Sequence, residues 1–298
     1  MPPSQNRSAV VAAYAGMCAI WGTTWLGIKY SLLYVPPLTG VGLRFIVAGL
    51  AMYAVALASG ALRQPQGHTR RPYPWKLVAV LAVFLFGLNY VLTYTAETRL
   101  GSGLTAVLFG TLPFFVFGFG HVLAGERTTA RIWFGAVLAF AGVAVISLGG
   151  EVRGSPLFAL AAVAAAGVSA FGNVYARRHS QHDPLRTLPP AMLVAGMCVF
   201  ALGVFTEPVS WSRVIAPGSI EVLLYLALLG SCVPFFLNLW LLQRIPAWVV
   251  GLSSLIIPVI AVVVGIVLGG EVFSWRELLG SALVIGGIWI ALTNAPTG

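Results

Sequence analysis

The chain repeats part of itself: residues 99–142 align with residues 244–287 without a gap, at a constant offset of 145 positions. The charged, proline and glycine matches are the informative ones, because two apolar segments resemble each other by composition alone. They pair Arg99 with Arg244, Pro113 with Pro258, Gly120 with Gly265, Gly125-Glu126 with Gly270-Glu271, Arg131 with Arg276, Gly135 with Gly280 and Gly142 with Gly287. The repeat predicts two halves of equivalent structure, 1–150 and 151–298.

Both halves are too apolar for a soluble protein. Hydrophobic residues make up 59% of the 298 positions and charged residues only 8%, whereas about a quarter of a soluble domain is charged. A helix needs about 20 apolar residues to cross a bilayer, and no strand pattern competes with that interpretation. The sequence predicts an all-α integral membrane protein with ten transmembrane helices. These spans cover residues 9–31, 38–59, 76–95, 101–123, 131–149, 155–177, 186–205, 218–242, 246–268 and 276–293.

The formal net charge of +9 is distributed as in a membrane protein and not as in a nucleic-acid-binding protein. Lys and Arg concentrate in one set of loops, which the positive-inside rule places in the cytoplasm. That set holds Arg7, Arg63, Arg70, Arg71, Lys76, Arg127, Arg131, Arg177, Arg178, Arg186 and Arg244. The opposite set holds only Lys29, Arg99, Arg153, Arg213 and Arg276. We therefore expect both termini in the cytoplasm and no nucleic-acid partner.

Each repeat contains five predicted spans, and an odd number reverses the direction in which the second copy enters the membrane. The two halves are therefore predicted to be inverted relative to each other, around a central cavity. Inverted repeats of this kind build many transporters, in which the halves rock around a substrate site near the bilayer midplane. Alternating access to the two sides of the membrane follows from that symmetry.

Three prolines interrupt predicted spans. Pro113 and Pro258 lie at matched positions in the fourth and ninth spans, and Pro234 lies in the eighth. Proline removes a helical hydrogen bond and kinks a helix. Each kink is either a fixed feature of the fold or a hinge, and the symmetric pair favours hinges.

At this point the residues resemble a known family, the EamA-type branch of the drug/metabolite transporter superfamily. The resemblance rests on the run Trp21-Gly22-Thr23-Thr24-Trp25 followed by Lys29, on Arg44-Phe45, on the matched prolines and on the Gly-Glu pairs. It implies a ten-helix carrier with a cavity lined by helices one, three, four, six, eight and nine. Many bacterial members export amino acids, other metabolites or toxic cations.

Within that superfamily, the YddG-type exporters of aromatic amino acids and paraquat resemble this chain in size and layout. Two positions depart from what that narrower resemblance leads us to expect. Leu112 replaces an aromatic side chain before the proline of the fourth helix, and Phe171 replaces a tryptophan in the sixth. The resemblance therefore implies an exporter without implying specificity for aromatic amino acids.

Few polar side chains lie at membrane depth, and each is costly unless it has a function or a partner. Amides and hydroxyls can bind both ends of an amino-acid zwitterion, although they can equally form interhelical hydrogen bonds worth about 0.6–2 kcal/mol. Aromatic side chains are interleaved with them and suit apolar or cationic groups. The predicted substrate-binding residues are Trp21, Thr24, Trp25, Asn89, Tyr90, Thr111, Leu112, Phe171, Asn173, Asn238 and Ser254. Further candidates are Thr23, Thr93, Ser169, Ser253, Phe109, Phe114, Tyr175, Phe236 and Trp240.

Four cations are candidates for gates. Lys29 and Arg44 are the charged residues nearest the membrane interior. Their long side chains either extend to the membrane interface, bind the carboxylate of a substrate, or close an outer gate. Arg99 and Arg244 precede the fourth and ninth helices at equivalent positions on opposite sides. No Asp or Glu is predicted at mid-membrane, where proton-coupled pumps usually carry one. That pattern favours a facilitator.

No sequence pattern for catalysis, metal binding, nucleotide binding or another cofactor is present, so we expect no enzyme and no cofactor. The sequence predicts a secondary transporter in the bacterial cytoplasmic (inner) membrane that exports small metabolites, with amino acids favoured. The alternatives are a multidrug or toxic-cation exporter and, in another class, a membrane channel. The predicted partners are a small-molecule substrate and the lipid bilayer, and a monomer is sufficient to enclose the cavity.

Overall fold

The computed structural model describes residues 7–62, 73–100, 102–147, 156–269 and 275–293, and these residues form helices and turns without a strand. The helices of the first half are α1 (Arg7–Ser31), α2 (Pro37–Ala58), α3 (Trp75–Glu97), α4 (Ser102–Phe109), α5 (Leu112–Ala124) and α6 (Ala130–Ser147). Those of the second half are α7 (Pro156–Arg178), α8 (Pro184–Thr206), α9 (Trp211–Val214), α10 (Pro217–Leu242), α11 (Ala247–Gly251), α12 (Ser253–Gly269) and α13 (Trp275–Leu292).

Within the described residues, seven helical stretches are long and apolar enough to cross a membrane, and three shorter apolar stretches accompany them. The shorter stretches, Ala130–Ile146, Ala247–Ile260 and Leu278–Leu292, overlap the predicted fifth, ninth and tenth spans. The prediction of an all-α integral membrane protein is confirmed. Glu271 of the second Gly-Glu pair, the loop arginines Arg63, Arg70, Arg71 and Arg153, and the chain ends used for orientation lie outside the described residues.

Two helix pairs pack so closely that only glycine fits at their crossings. In α2 and α8, a Cβ on Gly42 would lie 2.4 Å from Cα of Phe200, and one on Gly203 would lie 2.6 Å from the nitrogen of Thr39. The pair is antiparallel, because positions advance along α2 as they recede along α8. Small residues allow such approach in a membrane, where van der Waals contact replaces the hydrophobic effect between helices.

The second close pair is α6 with α13. A Cβ on Gly135 would lie 2.4 Å from the carbonyl oxygen of Gly287, and one on Gly142 would lie 2.5 Å from that of Gly280. These four glycines are the ones that the 145-residue repeat matches with each other. The symmetry of the sequence therefore reappears as a symmetric contact between two helices of opposite halves.

A carboxylate at the end of α8 fixes the start of α2. The Glu207 side chain accepts hydrogen bonds of 2.8 Å from the backbone N–H groups of Leu38 and Thr39, and from the Thr39 hydroxyl. The first N–H groups of a helix have no partner within it. Glu207 therefore joins α8 to α2 and satisfies donors that Pro36 and Pro37 leave without a side-chain cap.

The tryptophans at the ends of the predicted spans divide into two groups. Trp75, Trp133, Trp211 and Trp275, which lie at span ends, are exposed, as an interfacial position requires. Trp248 also lies at a span end but is 4% exposed, because it sits in the first turn of α11 between neighbouring helices.

The glycine contact between α6 and α13 gives a direct test of packing. Gly287→Val should destabilise the protein by about 1–3 kcal/mol, because its Cβ would lie 2.5 Å from the Gly135 carbonyl oxygen. The matched control is Gly286→Val, one residue away, where an added Cβ meets nothing within 4 Å. The melting temperatures of both variants are measured in detergent, and equal values would contradict the packing described.

Candidate functional site

A cavity of about 860 Å³, including the space at its mouth, lies at the centre of the bundle. Its described walls come from α1, α3, the α4–α5 pair, α7, α10 and the α11–α12 pair. These are the six segments that the family resemblance implied.

Most predicted substrate-binding residues lie together in the wall of this cavity. They come from separate helices and meet because each helix turns its polar or aromatic side toward the centre. The predicted residues that line the cavity are Trp21, Thr24, Trp25, Asn89, Tyr90, Leu112, Asn173, Asn238 and Ser254. Thr93, Phe109, Ser169, Ser253 and the predicted hinge Pro258 line it too.

Thr111 and Phe171, two of the predicted substrate-binding residues, do not line the cavity in this structure. The Thr111 hydroxyl donates to the Leu108 carbonyl oxygen at 2.6 Å, at the break between α4 and α5. Phe171 packs against Phe84 and Phe119, with ring centroids 4.7 and 5.7 Å apart. Sequence placed both residues at the right depth, but helix rotation turns them away from the centre.

Two amides meet across the wall between α7 and α10. The Asn238 Nδ2 group donates to Asn173 Oδ1 at 2.7 Å, and Asn173 Nδ2 donates to the Ser169 carbonyl oxygen at 2.9 Å. On α3, Asn89 Nδ2 donates to the Leu85 carbonyl oxygen at 3.2 Å. No described residue that lines the cavity carries a formal charge, so recognition there depends on neutral donors and acceptors.

Aromatic rings form the rest of the wall. Trp21 packs edge-on against Phe235 at 5.5 Å, and Trp25 packs edge-on against Phe109 at 6.1 Å. Sequence analysis missed Phe235 and favoured its neighbour Phe236, which does not line the cavity. The cause is a π-helical stretch immediately before it, because the wider turn rotates every following residue. Phe114, Tyr175 and Trp240 also lie outside the wall, and Thr23 instead pairs with Tyr225.

The π-helix occurs twice, over Leu81–Leu88 in α3 and over Tyr225–Cys232 in α10. The two stretches have equal length and lie 144 positions apart, almost the offset of the sequence repeat. A π-helix leaves hydrogen-bonding groups less regularly paired and often marks a functional site. Ser231 satisfies one such group, since its hydroxyl donates to the Leu226 carbonyl oxygen at 2.9 Å.

Two of the three predicted hinge prolines lie next to an irregular stretch of helix, and the third lies within a helix. Pro113 stands in the first turn of α5, directly after the break at Gly110 and Thr111, and Pro234 follows the π-helix of α10. Pro258 lies inside α12, whose start is separated from α11 by Leu252. Proline suits the first turn of a helix, where its missing N–H has no partner to lose.

The four predicted gate cations occupy different environments. Lys29 and Arg99 are exposed, whereas Arg244 stacks on Trp240 with its guanidinium carbon 3.7 Å from the ring centroid. Arg44 is 1% exposed, so it does not extend to a lipid interface as one interpretation held. Arg99 and Arg244, which the repeat equates, therefore differ in their surroundings in this conformation.

At one end of the bundle, the carboxylate of Glu126, which follows α5, joins several helices. Its carboxylate accepts hydrogen bonds from the backbone N–H groups of Ala247 at 2.7 Å and Trp248 at 3.3 Å, and lies 3.5 Å from Arg177 Nε. Arg177 in turn donates to the Leu242 carbonyl oxygen at 2.8 Å. Glu126 thus joins the ends of α5, α7 and α10 to the start of α11. Gly125, with φ of 67°, makes the turn that brings it there.

Comparison with known proteins gives the family of the chain. A family model described as the EamA-like transporter family matches residues 8–148 and again residues 154–293. An uncharacterized inner membrane transporter of Escherichia coli strain K12, YedA, is 28% identical over 274 residues, which are 89% of this chain and 85% of that protein. A probable amino-acid metabolite efflux pump of Salmonella typhimurium strain LT2 is 27% identical over 292 residues, covering 91% and 90%.

The fold is also known from experiment. A crystal structure superposes on this chain with a TM-score of 0.79 at 22% identity, covering 96% of this chain and 97% of the other. At that identity the likeness concerns the arrangement of helices alone.

The hydrogen bonds from the start of α11 to the Glu126 carboxylate can be tested by hydrogen exchange. In Glu126→Ala, the amides of Ala247 and Trp248 lose their acceptor, and a capping loss of about 1 kcal/mol corresponds to roughly fivefold faster exchange. Mass spectrometry of peptides spanning these residues measures the change. The internal control is the peptide containing Leu38 and Thr39, which Glu207 caps and which should exchange at an unchanged rate. Equal exchange rates at Ala247 in the wild type and the variant would contradict this hydrogen bond to Glu126.

Proposed function

Because the chain belongs to the EamA-like transporter family, we propose that it is a secondary transporter that exports small metabolites, with amino acids as the favoured substrates. The observation that carries the proposal is the central cavity, whose wall combines uncharged amides and hydroxyls with aromatic rings. Among the relatives, the Salmonella efflux pump is named for amino-acid metabolites, which supports the same substrate class.

The proposal includes ten transmembrane helices arranged as two inverted five-helix repeats, 1–150 and 151–298. Three observations support it. The family model matches each half separately, the two π-helices lie 144 positions apart, and the glycines that join α6 to α13 are repeat mates. The positive-inside rule supports a cytoplasmic location for both termini, in the inner membrane for which the Escherichia coli relative is named.

An amino acid suits the wall chemically. The amide oxygens of Asn89, Asn173 and Asn238 can accept hydrogen bonds from an ammonium group, and amide N–H and hydroxyl groups can donate to a carboxylate. The rings of Trp21 and Trp25 offer an apolar face to the substrate side chain. Neutral partners bind such a zwitterion without holding it so tightly that release becomes slow.

Transport would proceed by alternating access. The contacts of Glu126 with the start of α11 and with Arg177 form one proposed gate, and opening it requires α11 to separate from α5 and α7. Pro113, Pro234 and Pro258 are the proposed hinges, because a proline cannot donate a backbone hydrogen bond and a helix bends more readily there. Lys29, Arg99 and Arg244 are proposed at the two gates, and net flux follows the substrate gradient.

Two other functions are separated from this one by experiment. The aromatic wall favours a multidrug or toxic-cation exporter, since aromatic rings attract organic cations. The lack of a carboxylate among the described wall residues argues against that function, because a cation would bind more tightly beside a negative charge. A membrane channel would give flux that rises linearly with concentration. A carrier saturates because each turnover needs a conformational change.

The test is uptake of a labelled amino-acid panel by liposomes that contain the purified protein, with and without an imposed pH gradient. We expect saturable uptake of some amino acids, unchanged by the gradient. Absence of uptake of every amino acid under both conditions would refute the proposed substrate class.

A variant at the wall then tests the site. Asn238→Ala removes the partner of Asn173 and a group proposed to bind substrate. We expect it to raise KM by about tenfold, because a hydrogen bond to a charged group is worth roughly 1.5–3 kcal/mol. The control is Gln181→Ala, an exposed amide outside the cavity, which should leave KM unchanged. An unchanged KM in Asn238→Ala would remove this residue from the site.

A further inference from the structure

Arg44, in the middle of α2, is buried among helices rather than directed to water or lipid headgroups. Its Nε group donates to the Ser231 hydroxyl at 2.8 Å, one terminal nitrogen donates to the Tyr94 hydroxyl at 3.2 Å, and the other donates to the Gly230 carbonyl oxygen at 3.0 Å. Gly230 and Ser231 belong to the π-helix of α10, so a cation from α2 binds where the α10 backbone is irregular.

All of these partners are neutral. No acidic side chain among the described residues lies within ion-pair distance of the Arg44 guanidinium. The remaining contacts are the ring faces of Tyr90 and Phe45, whose centroids lie 4.8 and 5.6 Å from the guanidinium carbon. Hydroxyls, a carbonyl and rings stabilise the cation without cancelling its charge, so its field extends into the surroundings.

Two residues of the cavity wall, Tyr90 and Thr24, lie close to this cation. Tyr90 contacts Arg44 and also lines the cavity. Thr24 of α1, another wall residue, lies beside Gly230, as Arg44 does. A Cβ added at Gly230 would lie 3.0 Å from Thr24 Cγ2 and 3.5 Å from a terminal nitrogen of Arg44, so the two side chains are near each other. The guanidinium therefore lies one side chain behind the wall. In this low-dielectric interior its field is weakened far less than in water.

We propose that Arg44 is a specificity-determining residue that makes the cavity selective for substrates carrying a negatively charged group. This inference rests on the proposed transport function and narrows its substrate class to carboxylates, including amino acids. The carboxylate lies on the side of the cavity formed by Tyr90 and Thr24. Organic cations without a carboxylate are excluded, because no described charge in the wall offsets Arg44.

The positive electrostatic potential that Arg44 is proposed to create in the cavity can be measured without any substrate. A cysteine placed in the cavity wall reports it, because a positive potential speeds the reaction of the thiol with an anionic reagent relative to a cationic one. Thr24→Cys is introduced after Cys18, Cys198 and Cys232 are replaced by alanine. Its reaction rates with an anionic reagent, sulfonatoethyl methanethiosulfonate, and a cationic one, trimethylammonioethyl methanethiosulfonate, are compared. A second protein, with Gln181→Cys in the same cysteine-free background, gives the reference ratio, because Gln181 is exposed in the turn between α7 and α8 and lies outside the cavity. We expect the anionic-to-cationic ratio at Thr24→Cys to exceed the reference at least about tenfold.

Substitutions of Arg44 identify the source of that potential. In the Thr24→Cys background, Arg44→Gln should lower the ratio by about tenfold, and Arg44→Lys should preserve it because the charge remains. Arg213→Gln removes an exposed cation and should change nothing. If Arg44→Gln does not fold, the comparison of Thr24→Cys with the Gln181→Cys reference still decides. An equal ratio at the two thiols, or no change in a folded Arg44→Gln protein, would overturn the proposal.

Transport of matched substrates tests selectivity itself. Wild type should take up L-leucine in preference to L-leucinamide, which lacks the carboxylate, and Arg44→Gln should reduce that preference by about tenfold. Preference for the amide in wild type would overturn the inference. A raised thiol ratio with no uptake of either compound would instead contradict the transport function while leaving the positive potential established, so the two failures are distinguishable.

Discussion

Every backbone N–H and C=O group inside a bilayer must find its partner within the protein, and the rest of this structure depends on that constraint. It makes the spans helical, and it restricts irregular backbone to places where a side chain can replace the missing partner. Such places surround the cavity. The replacements are Asn89 to the Leu85 carbonyl, Thr111 to Leu108, Ser231 to Leu226, Arg44 to Gly230 and Arg177 to Leu242. Asn89 belongs to both groups, since it lines the cavity and also bonds a helix carbonyl, whereas Thr111, Ser231, Arg44 and Arg177 lie outside the wall.

The same constraint separates rigid from movable parts. The pairs α2–α8 and α6–α13 are continuous helices that meet through glycines, where the backbones are too close to slide without collision. The cavity helices are interrupted by breaks, π-helices or prolines. Arg44 connects the two groups, since it extends from α2 into the π-helix of α10. Under the proposed mechanism, the outer pairs stay fixed while the interrupted helices change shape around the substrate.

Sequence predicted part of this. Composition predicted the helices and the depth of the wall residues, whereas the contact of α6 with α13 through glycines is visible only in the fold. Thr111 and Phe236 follow the break at Gly110 and the π-helix of α10, and such irregularities change the direction of the residues after them. Phe171 lies in the uninterrupted helix α7 and faces Phe84 and Phe119 instead of the cavity. No pattern in Leu81–Leu88 or Tyr225–Cys232 signals a π-helix, since its cause is tertiary packing. For Arg44, sequence could show a cation near the membrane interior, but only the fold places Tyr90 between that cation and the cavity.

The central claim is that one cavity is exposed alternately to the two sides of the membrane, and counterflow tests it most directly. Liposomes containing the protein are loaded with an unlabelled amino acid that the protein takes up and are then diluted into a trace of the labelled compound. A carrier exchanges the two through the same cavity, so we predict that label accumulates transiently inside above its external concentration. Label that only equilibrates, at a rate independent of internal loading, would contradict alternating access and indicate a channel.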